Sequence, residues 1–300
     1  MALASQTTTA AAGSVAATEL TAEQVDRVLV QPLAETSQFL ASGVRIIDTP
    51  GPLRLPKGGG PIADPGWTGE NEQIPERDVD FDELHLLPST MKSVKVLTRF
   101  SNELARQSII SLDAAIKTRL VEDVATKLDT QFFSASGDGI ATPKGMFAWS
   151  GTQTLDVGGT LDFDDLLTAW GMALSANVNM AALKWFMQPG DFVSLRKLKD
   201  NSGRYLMQPD PTQDGVFRVF GAPVVVTSRV PNTTGGTPTG RAALADMSQV
   251  VVARDLAPSV KLLDQTFGDF DQQAIRVVAR YDVAPVNPEA IVTLTGISRS

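Results

Sequence analysis

The stretch SNELARQSIISLDAAIKTRLVEDVATKLDTQFF, residues 101–133, decides the fold. Its apolar residues recur at an unbroken four-residue spacing, and two more widen the stripe. The spaced residues are Leu112, Ile116, Leu120, Val124, Leu128 and Phe132, and the widening pair is Val121 and Phe133. Such spacing places the side chains on one side of an α-helix. About 22 residues at roughly 1.5 Å each form a rod of about 33 Å. The stretch therefore predicts a long helix, the spine of the molecule.

The ends and the polar face of this helix carry weaker signals. Ser111 is the predicted N-cap, because a serine hydroxyl can accept a hydrogen bond from the first turn. Asp113 precedes Lys117 by four residues, and Asp123 precedes Lys127 by the same interval. An acid four residues before a base is the favourable order on a solvated helix face, so these two pairs are predicted ion pairs.

Composition excludes several classes of protein. Three hundred residues with 43% hydrophobic content can build one large domain or two modest ones. The net charge of −8 argues against an electrostatic DNA-binding surface, which needs clustered Lys and Arg. The absence of Cys removes disulfides and thiolate catalysis. No apolar run is long enough for a membrane span, and residues 1–18 read as a flexible arm of small residues rather than a signal peptide.

Residues 48–79 are rich in proline and glycine, which interrupts the regular helix and strand patterns of the chain. Prolines stand at 50, 52, 56, 61, 65 and 75, and glycines 58–60 form a run. Regular pairing is difficult in such a segment, and long irregular stretches are usually functional or disordered. Extended pieces flank it at 53–56 and 81–87, so we predict a projecting two-stranded arm. Free disorder is the alternative, although Trp67, Ile74 and Phe81 are apolar anchors that a solvated linker would not need.

The remainder of the chain predicts a mixed architecture. Residues 92–101 and 275–283 alternate between apolar and polar side chains, which indicates two long strands that share a sheet beneath the spine. A last strand covers 290–294. Residues 140–265 read as a compact α/β insertion, with Thr160 capping a second helix and Gly221 at a turn or a bulge between two strands. Within it, 250–252 and 260–263 are predicted as separate short strands.

The search for catalytic chemistry finds only weak signals. His85 is the single histidine, so a Ser-His-Asp triad would have to use it as the base, and a site with two His ligands to a metal cannot form. Three acids, Asp162, Asp164 and Asp165, lack the spacing of a calcium loop and are better explained as acids at a helix N-terminus. We therefore predict no catalytic, cofactor-binding or metal-binding residues and no enzymatic activity.

Several motifs, in order, resemble the major capsid proteins of tailed double-stranded-DNA bacteriophages, which have the Hong Kong 97 fold. The first set is WTGE at 67–70, IP at 74–75, Phe81, LLP at 86–88 and SNEL at 101–104. The second set is GDGIATPKGM, WFMQP, LRKLKDNSGRYL, FGAPVVVTS and VNPEAIVTL. Each motif is weak by itself, but the ordered set is specific and covers roughly residues 21–296.

The resemblance implies an α+β fold with four parts. These are an N-terminal arm with a short helix at 1–48, an extended E-loop at 49–89, a P-domain at 90–139 and 266–300 that carries the spine helix, and a compact A-domain at 140–265. It also implies hexamers and pentamers that self-assemble in the host cytoplasm into an icosahedral shell, the virion capsid, around double-stranded DNA. Implied partners are copies of the chain itself, scaffolding, portal and decoration proteins, and DNA contacted non-specifically, with no membrane.

Two departures from the family pattern shape these expectations. Some relatives carry a long N-terminal scaffolding segment that a protease removes, whereas here fewer than about 25 residues precede the first predicted helix, which opens at Thr21. We therefore expect assembly to rely on a separate scaffolding protein, or on none. One relative cross-links its subunits by an isopeptide bond between a Lys on the E-loop and an Asn on a P-domain strand, with a Glu as helper. Here Lys57 could stand for the first, but Gln273 and Arg280 occupy the other two positions. We therefore predict no covalent cross-links.

The resemblance also nominates residues at the contact between subunits. The E-loop candidates are Arg54, Lys57, Trp67, Glu70, Glu72, Glu76 and Arg77, and the candidates on the neighbouring P-domain are Lys92 and Arg99. Two other functions remain open. An encapsulin-type nanocompartment shares the fold and stores cargo enzymes, and a hydrolase would use His85.

Overall fold

The computed structural model describes residues 37–58, 67, 70, 81–87, 92–103, 112–200, 202–207, 217–233, 239–263 and 266–298. The helix predicted after Thr21 and the predicted cap Ser111 lie outside these residues. The strands are β1 (Arg45–Asp48), β2 (Leu53–Gly58), β3 (Phe81–Leu86), β4 (Ser93–Ser101), β5 (Gln153–Asp156), β6 (Leu183–Met187), β7 (Arg218–Val219), β8 (Ala222–Val226), β9 (Gly240–Asp246), β10 (Val250–Leu263), β11 (Gln272–Pro285) and β12 (Ile291–Ile297). The helices are α1 (Leu112–Phe132), α2 (Phe163–Ser175) and α3 (Pro189–Arg196).

The predicted spine is helix α1, which runs for 21 residues. From Leu120 onward the four-residue stripe is buried, and Phe132 and Phe133 are fully buried. The two rings pack on Phe39, with centroids 5.1 and 5.2 Å from its ring. Burial of this apolar side, rather than intrinsic helix propensity, supplies most of the stability of such a helix. The prediction of a spine is confirmed for the described residues.

A four-stranded sheet lies against the spine, in the order β1-β10-β11-β4. Strands β11 and β4 are antiparallel, from Gln272 opposite Ser101 to Arg280 opposite Ser93. Alternate residues of β11, such as Val277 and Ala279, are buried in one core cluster with the α1 stripe. The period-two pattern that indicated these strands therefore also selects the face that packs on the helix. The prediction that both long strands share a sheet beneath the spine is confirmed.

A six-stranded sheet forms a second layer, in the order β5-β12-β9-β6-β8-β7. Helix α2 packs on β12 and β9, and its Leu166, Ala169 and Ala173 are fully buried. The central strands β6 and β9 are almost entirely apolar, as expected of strands that are covered on both faces.

Two strands join different sheets from those that the sequence predicts. Residues 250–263 form one 14-residue strand, β10, which belongs to the four-stranded sheet, whereas β12 belongs to the six-stranded sheet. The predicted boundary at 265/266 therefore does not follow the sheets. Alternation shows which face of a strand is apolar, but it carries no information about the neighbouring strand. The division into N-arm, E-loop, P-domain and A-domain stays a prediction.

Three local predictions have mixed outcomes. The N-cap of α2 is Asp162, which forms a capping box with Asp165, so the prediction of Thr160 is wrong. Asp123 pairs with Arg119 rather than with Lys127, because Arg119 reaches both Glu122 and Asp123 on the exposed face. The predicted turn at Gly221 is confirmed: Phe220 and Gly221 have φ values of 50° and 82°, the left-handed pair of a two-residue hairpin turn.

The described helices also bear on membrane insertion. None of them combines the length and the apolar character that a membrane-spanning helix requires.

Candidate functional site

The arm begins and ends as a two-stranded hairpin. Strands β2 and β3 pair antiparallel, from Leu53 opposite Leu86 to Gly58 opposite Phe81. The extended pieces predicted at 53–56 and 81–87 are therefore paired, which excludes free disorder for the described strands. Of the intervening segment, 59–80, the structure describes Trp67 and Glu70, and both side chains are exposed. The pairing brings the two ends of this segment to adjacent positions.

A buried polar cluster holds the base of the arm on the body. Asp282, on β11, is 1% exposed and accepts hydrogen bonds through Oδ2 from Lys92 Nζ at 2.6 Å and from the Leu87 backbone N–H at 2.9 Å. Its Oδ1 accepts from the Val283 N–H at 2.9 Å. Leu87 is itself fully buried at φ 51°, where the chain turns out of β3. One carboxylate thus fixes the point at which the arm leaves the sheet.

This cluster corrects one of the contact predictions. Lys92 was predicted to meet a neighbouring subunit, but it is 6% exposed and its ammonium group is bound within the chain. A charge buried without a partner is strongly unfavourable, and therefore the Lys92 side chain turns inward to Asp282. The alternation of residues 92–101 did not reveal this, because Asp282 is distant in sequence.

The other predicted contact residues whose side chains the structure describes, Arg54, Trp67, Glu70 and Arg99, are exposed. Arg54 lies 3.8 Å from Glu83 across the hairpin, and Arg99 stacks over the Phe267 ring at 4.0 Å from its centroid. An exposed ion pair such as Arg54–Glu83 contributes about 0–1 kcal/mol. The structure does not describe the side chain of Lys57 or residues Glu72, Glu76 and Arg77. It brings the remaining candidates into no single cluster, and their role in contacts stays a prediction.

The spine also binds the N-terminal segment, through an interaction that the sequence did not indicate. Asp129, on α1, accepts hydrogen bonds from Ser37 Oγ at 2.6 Å and from the backbone N–H groups of Gln38 at 2.9 Å and Phe39 at 3.3 Å. Burial raises the pKa of Asp129, although these hydrogen bonds and nearby Arg229 oppose the shift. The one sequence feature that pointed to this interaction was the position of Asp129 next to the apolar stripe of α1. Asp129 ties the chain that enters from the N-terminal side to the spine.

The residues considered for chemistry do not form a site. His85 is 58% exposed on β3, and its Nε2 lies 3.5 Å from Glu83 Oε2. This position on an exposed hairpin does not favour a buried general base. Asp162 and Asp165 act as the cap of α2. Across the described part of the chain, no group of three or more His, Asp or Glu residues is arranged to hold a metal ion.

Comparisons with known proteins agree with this architecture. The profile of the phage capsid family matches residues 18–296. Among solved structures, the capsid of a native GTA particle computed with C5 symmetry has a TM-score of 0.70 and 16% identity, covering 86% of this chain and 90% of that chain. The corresponding values are 0.67, 15%, 86% and 90% for Microbacterium phage Oxtober96. For Mycobacterium phage Bobi they are 0.66, 17%, 88% and 91%. No curated protein matches the chain.

Proposed function

The chain belongs to the phage capsid family, and it is therefore a major capsid protein, a structural component of the virion shell. From this premise we propose that copies of the chain assemble as hexamers and pentamers into an icosahedral shell around double-stranded DNA. The observation that supports the proposal is the extent of the family match, which spans the arm, the spine and both sheets. Assembly would take place in the host cytoplasm, and scaffolding, portal and decoration proteins are the proposed further partners.

In this proposal the arm is the clamp between subunits. Residues 49–89 act as the E-loop, and the hairpin β2–β3 carries it away from the body. We assign the four-stranded sheet with α1, including β10, to the P-domain and the six-stranded sheet with α2 and α3, including β12, to the A-domain, which revises the predicted boundary at 265/266. An arm that lies on a neighbour makes a heterologous contact, and such contacts close into rings. Many modest contacts become strong together, because a subunit leaves only when all of its contacts break.

The proposed work of the chain is structural rather than catalytic. The proposed contact charges are Arg54, Lys57, Glu70, Glu72, Glu76, Arg77 and Arg99. Trp67 is the proposed apolar anchor, because a large aromatic side chain that becomes buried at an interface contributes more than an exposed ion pair. With a net charge of −8, the subunit would contact packaged DNA weakly and without sequence preference. No observation favours the encapsulin or the hydrolase alternative over the capsid.

The hairpin geometry allows a direct test of the clamp. Because Gly58 and Phe81 are paired, an Asn-Gly turn can replace residues 59–80 without disturbing β2 or β3. We expect this shortened variant to give a folded subunit, judged by circular dichroism and thermal unfolding, that forms no shells in negative-stain microscopy. A second variant that keeps residues 59–80 in shuffled order separates arm length from arm sequence. Normal shells from the shortened variant would contradict the proposed role of the arm.

A further inference from the structure

The outer face of the four-stranded sheet, which is the face turned away from α1, carries exposed cations. Ile275 and Val277 of β11 are buried in the core cluster that contains the α1 stripe, so Arg276 between them points to the outer face. Residues directly opposite each other on neighbouring strands share a face. The register therefore places Lys261 of β10 on one side of Arg276 and Leu97 of β4 on the other. Arg276 and both of these neighbours are exposed.

Two further cations lie on the same face. Lys95 and Arg99 stand two residues before and two residues after Leu97 on β4, and alternate residues of a strand share a face. Both are exposed, and both are diagonal neighbours of Arg276. Arg276 is thus flanked by three other cations. We call Lys95, Arg99, Lys261 and Arg276 the basic face.

The described residues do not neutralise the basic face. None of its four cations forms an ion pair with a described acid, whereas Arg280, further along β11 on the same face, binds Asp255 at 2.9 Å. Asp269 and Asp271 lie in the turn that precedes β11. Like charges directly opposite each other in a sheet are destabilising. The Lys261–Arg276 pair therefore raises the free energy of the isolated subunit, and a negatively charged partner on this face would lower it.

Charge complementarity within the chain identifies a partner. Residues 59–80, the segment between β2 and β3, contain six acids and one base, which is a formal charge of −5 in a subunit of −8. The acids are Asp64, Glu70, Glu72, Glu76, Asp78 and Asp80, and the base is Arg77. The subunit thus carries a segment and a surface of opposite charge, and this combination favours a heterologous contact between copies.

An apolar residue within the basic face distinguishes a peptide partner from DNA. Clustered, exposed cations also suit a phosphate backbone. Leu97, however, is 47% exposed between Lys95 and Arg99, and a phosphate backbone offers it no apolar contact. Residues 59–80 supply Trp67 and Ile74 as well as acids. Because burial of apolar side chains is a main source of interface affinity, the basic face fits this peptide better.

We propose that the basic face is the docking surface for residues 59–80 of a second copy of the chain. The inference rests on the proposed function, in which the arm reaches a neighbouring subunit. It adds the receptor: Lys261 and Arg276 receive carboxylates, and Leu97 receives an apolar side chain. The sequence nominated none of these three residues, because the register of three distant strands brings them together. Repulsion that burdens the isolated subunit is relieved in the shell.

The central test changes Lys261 and Arg276 to glutamine together, which removes two charges and keeps polar side chains. We expect the isolated Lys261→Gln/Arg276→Gln subunit to unfold at the same temperature as the original chain or a higher one, because a like-charge repulsion is removed. We expect the concentration needed for shell assembly to rise about tenfold, since each lost charge pair is worth a factor of a few. The matched control is Lys197→Gln/Arg218→Gln, which removes two exposed cations, one after α3 and one on β7, and should leave assembly unchanged.

Added salt gives a readout that a purely structural role of these residues would not change. Salt screens exposed charges, so the concentration that the original chain needs for assembly should rise with the NaCl concentration. It should rise less steeply for Lys261→Gln/Arg276→Gln, because fewer charge pairs remain to be screened. Equal slopes for the two proteins would overturn the inference.

A double-mutant cycle identifies the acids that contact the basic face. Each of the six acids is changed to its amide, alone and together with Lys261→Gln/Arg276→Gln. An acid that docks there should raise the assembly concentration alone but add little to the effect of the glutamine changes, because both remove one contact. Additive effects for all six acids would count against the proposed partner and overturn the inference.

The remaining outcomes separate this inference from the proposed function. If Lys261→Gln/Arg276→Gln assembles at the original concentration while the Asn-Gly arm variant forms no shells, the inference is wrong and the clamp stands. If both variants assemble normally, the clamp and the inference are both wrong. A lower unfolding temperature of the isolated Lys261→Gln/Arg276→Gln subunit would show that the basic face has its partner within one chain and overturn the inference. Normal shells of that variant that fail to retain DNA would assign the face to the phosphate backbone and also overturn it.

Discussion

Single buried charges decide how the arm is attached to the body. Asp282 gathers the Lys92 ammonium and two backbone N–H groups around one carboxylate. Such a pair is weak evidence of net stability, because desolvation of both ions offsets much of their attraction. Its effect is positional: the Leu87 backbone is held where the chain leaves β3. The direction in which the arm projects therefore depends on one residue contributed by a distant strand.

Loss of Lys92 alone should destabilise the subunit strongly, whereas loss of both charges should destabilise it by less than the sum of the two single changes. Lys92→Met should lower the free energy of unfolding by about 3 kcal/mol, because it leaves Asp282 buried without its counter-ion. Adding Asp282→Asn should cost less than the sum of the single changes, since the amide is neutral and still accepts a hydrogen bond. Urea unfolding of the four proteins measures the cycle. Lys95→Met, an exposed change three residues along the chain on β4, is the control, and strictly additive losses would contradict the pairing.

Among the elements, the turn after the spine is held by hydrogen bonds to one side chain and by close packing. Asp138 Oδ1 accepts hydrogen bonds from the N–H groups of Thr142, Ile140 and Ala141, and these bonds hold its pKa well below the ordinary value. Gly145 packs directly on the backbone of Ser134 at the end of α1. The SGDG run at 136–139 is typical of a turn, but only the structure shows that the turn closes back on the helix.

The close approach at Gly145 makes a side chain there unfavourable. Gly145→Ala should lower the free energy of unfolding by about 1–3 kcal/mol, because the added Cβ would collide with the Ser134 backbone, which cannot move independently of α1. Thermal or urea unfolding measures the change. Gly159→Ala is the matched control, because its Cβ would approach no atom closer than 4.0 Å. Equal stability of both variants would show that the turn does not pack as described.

At the scale of the whole molecule, the chain passes back and forth between the two sheets. After β9 the chain leaves the six-stranded sheet for β10 and β11, and it returns as β12. The two layers are therefore linked by several crossings rather than by one hinge. Shell strength would then depend on non-covalent contacts between rigid subunits.

The composition of intact shells tests whether covalent bonds add to those contacts. We expect one band near 32.0 kDa in a denaturing gel. Gln273 lies opposite Phe100 within the β11–β4 pairing, and the Arg280 guanidinium binds Asp255 at 2.9 Å, so neither position supplies the Asn or Glu of a cross-link. The gel sample is intact shells that are boiled without any cross-linking reagent. A ladder of covalent multimers would contradict the prediction.

The sequence by itself determined the features that depend on local pattern. The four-residue stripe specified α1, alternation specified β4 and β11, and proline and glycine marked the arm, because helix and strand periods follow from backbone geometry. Only the tertiary structure decided the pairings between distant residues. It placed β10 and β12 in different sheets from those predicted, turned Lys92 inward to Asp282 and joined Ser37 to Asp129. Periodicity tells which face of an element is apolar, whereas the partner of that face is selected by the packing of the whole chain.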